Sequence, residues 1–387
     1  MAVSGTDDIG LFTPLRLRDV VLPNRIAVSP MCQYCAVDGL ADDWHLVHLG
    51  RFAIGGAGLV MVEATAVEAR GRISHGDLGL YDDAQIAPLR RIASFLRHCG
   101  SVPGIQLGHA GRKASMQRAW RGNGPLTAED HARGDLPWPV IGPSSLAAAE
   151  GWPLPREMTQ DDVAAVTRAW VAAAERADRA GFDVLEVHAA HGYLLHSFLS
   201  PLSNRRGDDL GGDFANRVRF LLQVVRAVRR VWPAGKPLFV RISEADGMEG
   251  GWSLEDSLRL APLLYAEGVD LIDCSSGGLA TSATAPGVQE LPREPGFQIP
   301  FAAAIRERTG GPVMAVGLIL DAEFAEATVR NGRADVVAIG RGALDDPNWP
   351  EHARRKLVPQ TEGTTIPPQV GWWMIRWLRL LRRFRPI

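Results

Sequence analysis

The sequence predicts an α/β fold: a closed (β/α)8, or TIM, barrel in a single domain. Long loops are expected at its C-terminal face, and a tail beyond it. Three observations carry this. Eight short apolar runs alternate with longer amphipathic stretches along the 387 residues. No GxGxxG fingerprint follows any run, which weakens the open doubly wound sheet as the competing architecture. Residues suited to chemistry sit at the C-terminal ends of the runs, where barrels carry their active sites.

The predicted strands are 25–29, 59–63, 102–107, 182–187, 238–242, 270–274, 312–316 and 335–339. Helical stretches fall between them at 44–54, 86–98, 159–180, 216–231, 253–267, 301–309 and 321–330, and a last one begins near Pro350. Thr159, followed by Asp161 and Asp162, reads as an N-terminal cap with acids in the first turn. Gly55-Gly56-Ala57-Gly58 precedes a strand and reads as a helix-to-strand turn. Residues 110–157 and 276–298 are irregular, and loops of that length are usually lids or binding loops.

Composition sets bounds. A hydrophobic share of 46% supplies a large core, and a net charge of −2 argues against a general nucleic-acid footprint. Cys32, Cys35, Cys99 and Cys274 form no regular disulfide framework, which fits a reducing compartment. The first ten residues carry Asp7 and Asp8 and no apolar core, so they do not read as a signal peptide. No run of 18 apolar residues exists, so stable membrane insertion is not expected. These features predict a cytoplasmic enzyme.

The most informative segment is His188-Ala189-Ala190-His191-Gly192-Tyr193, placed where the fourth strand is expected to end at Val187. Imidazoles donate hydrogen bonds and a phenol donates a proton, so the trio suits a substrate oxygen and an adjacent carbanion. On spacing alone a metal pair or satisfied core histidines fit as well. Other strand ends add Ser29 to Cys35, Glu63-Ala64-Thr65, Gln106 to His109, Arg241, Gly317 and Gly340-Arg341-Gly342. Glycines after strands seven and eight, with Arg341, suit a phosphate. A phosphate pocket with Gln106, Arg241 and the Cys32 thiol around one mouth suits flavin mononucleotide, FMN. Arg241 would then balance the negative charge of a reduced flavin; the bland alternative is an ion pair with Glu244 or Asp246.

With these residues in view, the chain resembles the old yellow enzyme family of flavin-dependent ene-reductases, and most of all its bacterial, thermophilic-like branch, which includes the xenobiotic reductases. The resemblance runs from Leu11-Phe12-Thr13-Pro14 to about Pro350. It rests on Ser29-Pro30-Met31-Cys32-Gln33-Tyr34, Gly108-His109-Ala110-Gly111-Arg112-Lys113-Ala114, His188 to Leu194, Phe198 to Asn204, Ala315 to Ile319 and Ile339-Gly340-Arg341. It implies that Ser29, Pro30, Met31, Cys32, Ala64, Gln106, Arg241, Gly317, Gly340 and Arg341 bind a tight, non-covalent FMN. His188 and His191 would hold a substrate carbonyl with help from Tyr34, Tyr193 would donate the proton, and Cys32 would tune the flavin. NAD(P)H, with NADPH favoured, would reduce the flavin, and an α,β-unsaturated carbonyl would then accept hydride and proton. Arg112 and Lys113 could favour the phosphate of NADPH or be structural.

The resemblance weakens at the C-terminus, so the chain divides into a barrel over 1–360 and a tail over 361–387. In the tail Trp373, Trp377, Leu380, Leu381 and Phe384 share one helical face, and Arg376, Arg379 and Arg383 another. Subunit docking into a homodimer or homotetramer is the favoured use, and contact with a membrane surface the other. Two rival functions remain open at this point. One is a barrel zinc hydrolase using Cys32, Cys35, His188 and His191. The other is a non-catalytic flavin-binding barrel. Neither is favoured, and no metal site is expected.

Overall fold

The computed structural model describes residues 10–280, 293–358, 364–381 and 384. Eight parallel strands close into a barrel: β1 (Ile26–Val28), β2 (Leu59–Ala66), β3 (Val102–Gly108), β4 (Val184–Ala189), β5 (Leu238–Ser243), β6 (Leu271–Ser275), β7 (Val313–Ala315) and β8 (Val336–Ile339). They are arranged in sequence order, and β8 pairs with β1 to close the ring. Around it lie α1 (Asp43–Ile54), α2 (Ile86–His98), α3 (Gln160–Arg179), α4 (Phe214–Val231), α5 (Leu254–Ala266), α6 (Ile299–Thr309), α7 (Ala322–Arg330) and α8 (Trp349–Leu357).

The strands have two faces because side chains alternate with period two. Val60, Val62, Ile105, Leu107, Leu185, Val187, Val240 and Ile242 belong to the core shared with the helices. The intervening residues Leu59, Met61, Val184, Phe239, Leu271, Met314 and Val336 fill the barrel, and Leu17 and Leu22 of an N-terminal hairpin join that cluster. Further along the same inner faces come Glu63, Gln106, Glu186, Arg241 and Asp273, all buried. The barrel interior therefore changes from apolar to charged toward its C-terminal end.

The helices are set by their ends and their apolar stripes. Thr159 caps α3 as expected, its hydroxyl accepting from Asp162 N–H, and Asp42, Asp213, Ser253 and Asp321 cap α1, α4, α5 and α7. In α3 the buried residues Val163, Val166, Trp170, Ala173, Ala174 and Ala177 follow the three-to-four spacing of one face. Gly55 and Gly56 do form the turn from α1 into β2, Gly56 with φ +92°.

One strand boundary differs in a way that matters. β4 continues through Ala189, because His188 pairs in register with Arg241 and Ala189 with Ile242. His188 therefore shares the inner face with Glu186, and only His191 and Tyr193 stand in the turn beyond. The segment 110–157 is largely irregular, with a short helix (Ala128–Ala132) and a two-stranded pairing of Ile141–Gly142 with Arg156–Glu157. Of the second long loop, residues 281–292 lie outside the described residues, as do 1–9 at the N-terminus.

A tail helix, α9 (Pro368–Leu381), follows a docked turn in which Thr364 and Thr365 donate to the buried carboxylate of Glu351. Its Trp373, Trp377 and Leu380, with Phe384 beyond it, are exposed, while Met374, Ile375 and Leu378 are half-buried. Arg383 of the expected basic face lies outside the described residues. No helix among the described residues is long and apolar enough to cross a membrane.

Trp170 is fully buried, and its indole N–H has no hydrogen-bond partner. Trp170→Ala should cost about 3–5 kcal/mol in urea unfolding through the cavity it leaves. Trp170→Phe should cost clearly less, since it keeps most of the packing and removes an unsatisfied donor.

Candidate active site

Strand β4 and the turn after it build the centre of the site. The His188 ring lies edge-on to both His191 and Tyr193, with centroids 5.2 and 5.1 Å away. The trio singled out from sequence is thus brought together. The turn itself is conformationally demanding: His191 has φ +60° and Gly192 φ +73°. A side chain at Gly192 would come within 2.6 Å of Gly278 O, so glycine is needed there.

Several groups that sequence reasoning missed hold this turn. Gly192 N–H donates to His196 Nδ1 (2.7 Å), and His196 Nε2 lies 2.8 Å from Asp246 Oδ1. Since Nδ1 accepts, the ring proton sits on Nε2 and faces the carboxylate. Asp246 is anchored in turn by Ser200 Oγ (2.6 Å) and Trp252 N–H (2.7 Å). His191 N–H donates to Ser243 Oγ (2.9 Å), and His191 Nε2 shares a hydrogen bond with Ser275 Oγ (2.7 Å). Lys113 donates to the carbonyls of His191 (3.0 Å), Gly278 and Ala280, tying the loop after β6 to the turn. A signal existed only for His196: a histidine inside the apolar stretch Leu194 to Leu199 needs a buried partner.

Beside His188 the inner faces carry a charged layer. Gln106 Nε2 donates to Glu186 Oε1 (2.7 Å), and Arg241 Nε lies 3.3 Å from Asp273 Oδ2. Among the described residues the alternative ion pair of Arg241 with Glu244 or Asp246 does not form. Asp273 stands directly across the β5–β6 ladder from Arg241, whereas Asp246 is committed to His196. Burial and mutual repulsion raise the Glu186 carboxyl well above the usual range, and burial raises Asp273, against the pull of Arg241.

Burial governs protonation across the mouth. Both His188 and His191 are held well below the usual histidine value, first by desolvation and then by Arg241, so they are neutral. Desolvation pushes the Tyr193 and Tyr34 phenols and the Cys32 thiol up, so each keeps its proton. Burial draws the Lys113 ammonium down to about 7, although its three carbonyl acceptors favour the charged form.

The remaining expected residues line the same end. Cys32, Tyr34 and Tyr193 pack against Ile73, Ala110, Ala114, Met116 and Val140, and Tyr34 also meets Trp120 edge-on at 6.0 Å. Tyr34 itself has φ +52°. Met31 packs partly on the outer core, and Pro30 is half-buried next to Ser29. Gly317, with φ +111°, and Gly340 leave β7 and β8 side by side, and the exposed Arg341 follows Gly340. Arg112 and Lys113 are buried, and Arg112 donates to the carbonyls of Ala147 and Leu279. Their structural use is therefore visible. The zinc set does not assemble, because Cys35 turns away to His45, 3.6 Å from Sγ to Nε2.

Several buried polar atoms here lack a hydrogen-bond partner, among them Ser29 Oγ, Glu186 Oε2 and Arg241 Nε, whose approach to Asp273 is an ion pair without a well-formed hydrogen bond. The space beside them is open: an added Cβ at Gly340 would find nothing nearer than Ser29 Cβ at 3.9 Å, and one at Gly108 nothing nearer than 3.8 Å. Unsatisfied donors around a glycine-lined mouth fit a flat, polar-edged cofactor with a phosphate.

Comparison with known proteins agrees with this geometry. A family model for the NADH:flavin oxidoreductase / NADH oxidase family matches residues 10–360. An NADPH dehydrogenase of Geobacillus thermodenitrificans is 42% identical over 94% of this chain and 98% of its own length. An NADH:flavin oxidoreductase of Gibberella zeae is 41% identical, covering 89% of this chain and 86% of its own. Among solved structures, morphinone reductase superposes with a TM-score of 0.73 at 28% identity, covering 91% of each chain. The fold and site thus define an oxidoreductase with FMN as its cofactor. The chain belongs to the NADH:flavin oxidoreductase / NADH oxidase family, that of the old yellow enzymes.

The His196–Asp246 pair should act through the turn it holds. His196→Ala should weaken binding of a phenol by about tenfold, as loss of an orienting partner does elsewhere, while FMN content stays that of the parent. Titration of the flavin spectrum with phenol checks this, and an unchanged affinity would remove the pair from the site.

Proposed function

We propose that the protein is an NADPH-dependent ene-reductase acting on α,β-unsaturated carbonyl compounds. The observation that carries this is the convergence of His188, His191 and Tyr193 in one mouth beside Arg241. The names of the curated relatives support NADPH as reductant. Bound FMN would supply the hydride chemistry that links the nicotinamide to the β-carbon of the substrate. Ser29, Pro30, Met31, Cys32, Ala64, Gln106, Arg241, Gly317, Gly340 and Arg341 would hold it. Ser29 Oγ and Arg241 Nε, neither of which makes a hydrogen bond, favour that assignment.

The chain's own residues then account for the rest. His188 Nδ1 accepts from Ala190 N–H (3.3 Å), which leaves Nε2–H as its free donor. His191 is fixed by Ser243 and Ser275. Two neutral imidazole donors polarise the substrate carbonyl and stabilise the enolate charge that grows during hydride transfer. Tyr34 assists from the β1 loop. Tyr193 keeps its phenolic proton until the α-carbon takes it. The Cys32 thiol, neutral and packed with Tyr193, adjusts the polarity of the pocket.

The zinc hydrolase finds no support, since Cys35 faces His45 rather than His188 and His191. A flavin carrier would need neither a retained phenolic proton nor two oriented imidazoles. The free cysteines fit a cytoplasmic setting. The division into a barrel over 1–360 and a tail over 361–387 stands as part of this reading. The exposed Trp373, Trp377 and Leu380 of the tail support assembly into a homodimer or homotetramer.

Anaerobic reduction with NADPH should bleach the flavin band of the purified protein, and 2-cyclohexenone should restore it. A band that NADPH bleaches and enones leave bleached would sink the ene-reductase reading in favour of the carrier. In stopped flow, Tyr193→Phe should slow reoxidation by the enone at least about a hundredfold and leave reduction by NADPH nearly unchanged; equal loss in both halves would contradict the division of labour.

Lowering the pH from about 8 to 6 should change phenol affinity through no histidine titration, because both imidazoles stay neutral. Any change should centre near pH 7, where Lys113, bonded to the His191 carbonyl, takes up its proton. The buried histidines should contribute a fall in stability over the lower part of that pH range. Glu186 contributes a rise against it, because its raised carboxyl binds its proton first in the folded state. The difference in urea midpoint between the parent and His48→Gln therefore isolates the histidine part. The unfolded chain takes up protons near the usual histidine value of about 6.5, which the buried rings of His188, His191 and His48 refuse. Urea midpoints at several pH values test the sign.

A further inference from the structure

One step below His188 on the inner faces lie two carboxyl groups to which the reduction of enones gives no task. Glu186 on β4 and Asp273 on β6 are each 0% exposed. These strands flank β5, and alternate strands of a barrel contribute to a common interior layer. There the two carboxyl groups come within hydrogen-bonding reach of each other. Asp273 Oδ2 lies 3.3 Å from Arg241 Nε, and Glu186 Oε1 accepts from Gln106 Nε2 at 2.7 Å. Glu186 Oε2 and both oxygens of Asp273 accept no hydrogen bond from any described residue.

We propose that Glu186 and Asp273 share a single proton, with Glu186 as the acid and Asp273 as the ion, and that this singly charged pair balances Arg241 and thereby sets the potential of the flavin. Two carboxylates in contact in a dry interior cannot both ionise. Two neutral acids would leave the guanidinium unmatched inside the barrel, which is strongly destabilising. One proton between them meets both demands. It also supplies the missing donor, since Glu186 Oε2–H then donates to Asp273.

Register decides which group keeps the proton. Asp273 stands directly across the ladder from Arg241, whereas Glu186 is paired with Gln106 on one side and Phe239 on the other. Burial and the charge of Asp273 hold the Glu186 carboxyl well above its ordinary range, in agreement. His188, in register with Arg241, is neutral and adds no charge. With Arg241 bordering the flavin, as the reading above has it, the layer is neutral overall. Removing its anion would leave the guanidinium uncompensated and favour the negative charge of the reduced cofactor. Glu186 and Asp273 thus act through Arg241, as positioning residues.

The test is a double-mutant cycle on the FMN-loaded protein, read by the midpoint potential of the flavin. Glu186→Gln leaves the single charge on Asp273, and Asp273→Asn moves it to Glu186. Each single variant should therefore keep the reduced-to-oxidised ratio at a fixed potential within about twofold of the parent. The double variant Glu186→Gln/Asp273→Asn should raise that ratio at least about tenfold, an upward shift of about 30 mV for two electrons. Infrared difference spectra, parent minus variant, should show a carboxylic acid band that both single variants lose. Bands of Glu63 and Glu244, whose carboxyls burial also raises, cancel in the difference. Additive upward shifts in the two single variants mean two ionised carboxylates and overturn the proposal. An unmoved double variant overturns it too, as does an acid band missing from the difference between parent and Glu186→Gln. Should the double variant not hold FMN, that infrared comparison decides. Return of the flavin band with 2-cyclohexenone is a separate measurement, and its failure sinks the ene-reductase reading while leaving the cycle untouched.

Discussion

Arg241 lies inside a closed barrel, and a guanidinium taken out of water must be matched by nearby negative charge. Much of the site's architecture meets that requirement. Asp273 faces it from the next strand, and Glu186 and Gln106 extend the layer across β4 and β3. The layer can exist only because the strands alternate faces, so that residues two apart in sequence rise one step toward the mouth. Below it the barrel is filled by Met61, Phe239 and Met314; above it stand His188, Ser243 and Ser275. The same cation that needs the carboxyl groups depresses the two histidines. One buried charge thereby helps set the protonation of the whole mouth.

Strain is concentrated beside this layer. Tyr34 and His191 adopt left-handed backbone conformations that side chains rarely take, and both stand at the C-terminal mouth of the barrel. Each is held by contacts that reach well beyond its own turn. His191 is fastened through Ser243, Ser275 and Lys113, drawn from β5, β6 and the loop after β3. Gly192 is fastened through His196 to Asp246. The turn after β4 is thus positioned by the barrel as a whole, which suits the proposed chemistry, where donors must be in place before charge develops.

The cluster at α1 follows from the same economy of placement. A helix cap needs an acceptor at Asp42, and His45 completes it from the third position. That leaves an imidazole edge facing Cys35 and Glu63, so the loop after β1 is held to α1 and β2 by side-chain contacts.

Sequence by itself determined the order of elements, the closed barrel and the strand ends that carry the site. Period-two apolar runs, Gly and Asp at helix boundaries and the motif at His188–Tyr193 are local features, and local sterics enforce them. It also indicated the correct end of the barrel for Gln106, Arg241 and Gly340. What only the tertiary structure decided is which groups meet. Register placed Asp273 rather than Glu244 opposite Arg241, and carried β4 on to Ala189 so that His188 faces inward. Barrel closure brought Ser243 and Ser275 to His191, and Asp246 to His196. Helix α1 gave Cys35 a partner in His45 in place of the histidines of β4. Such pairings depend on strand register and helix docking across dozens of residues, and no spacing within one segment encodes them.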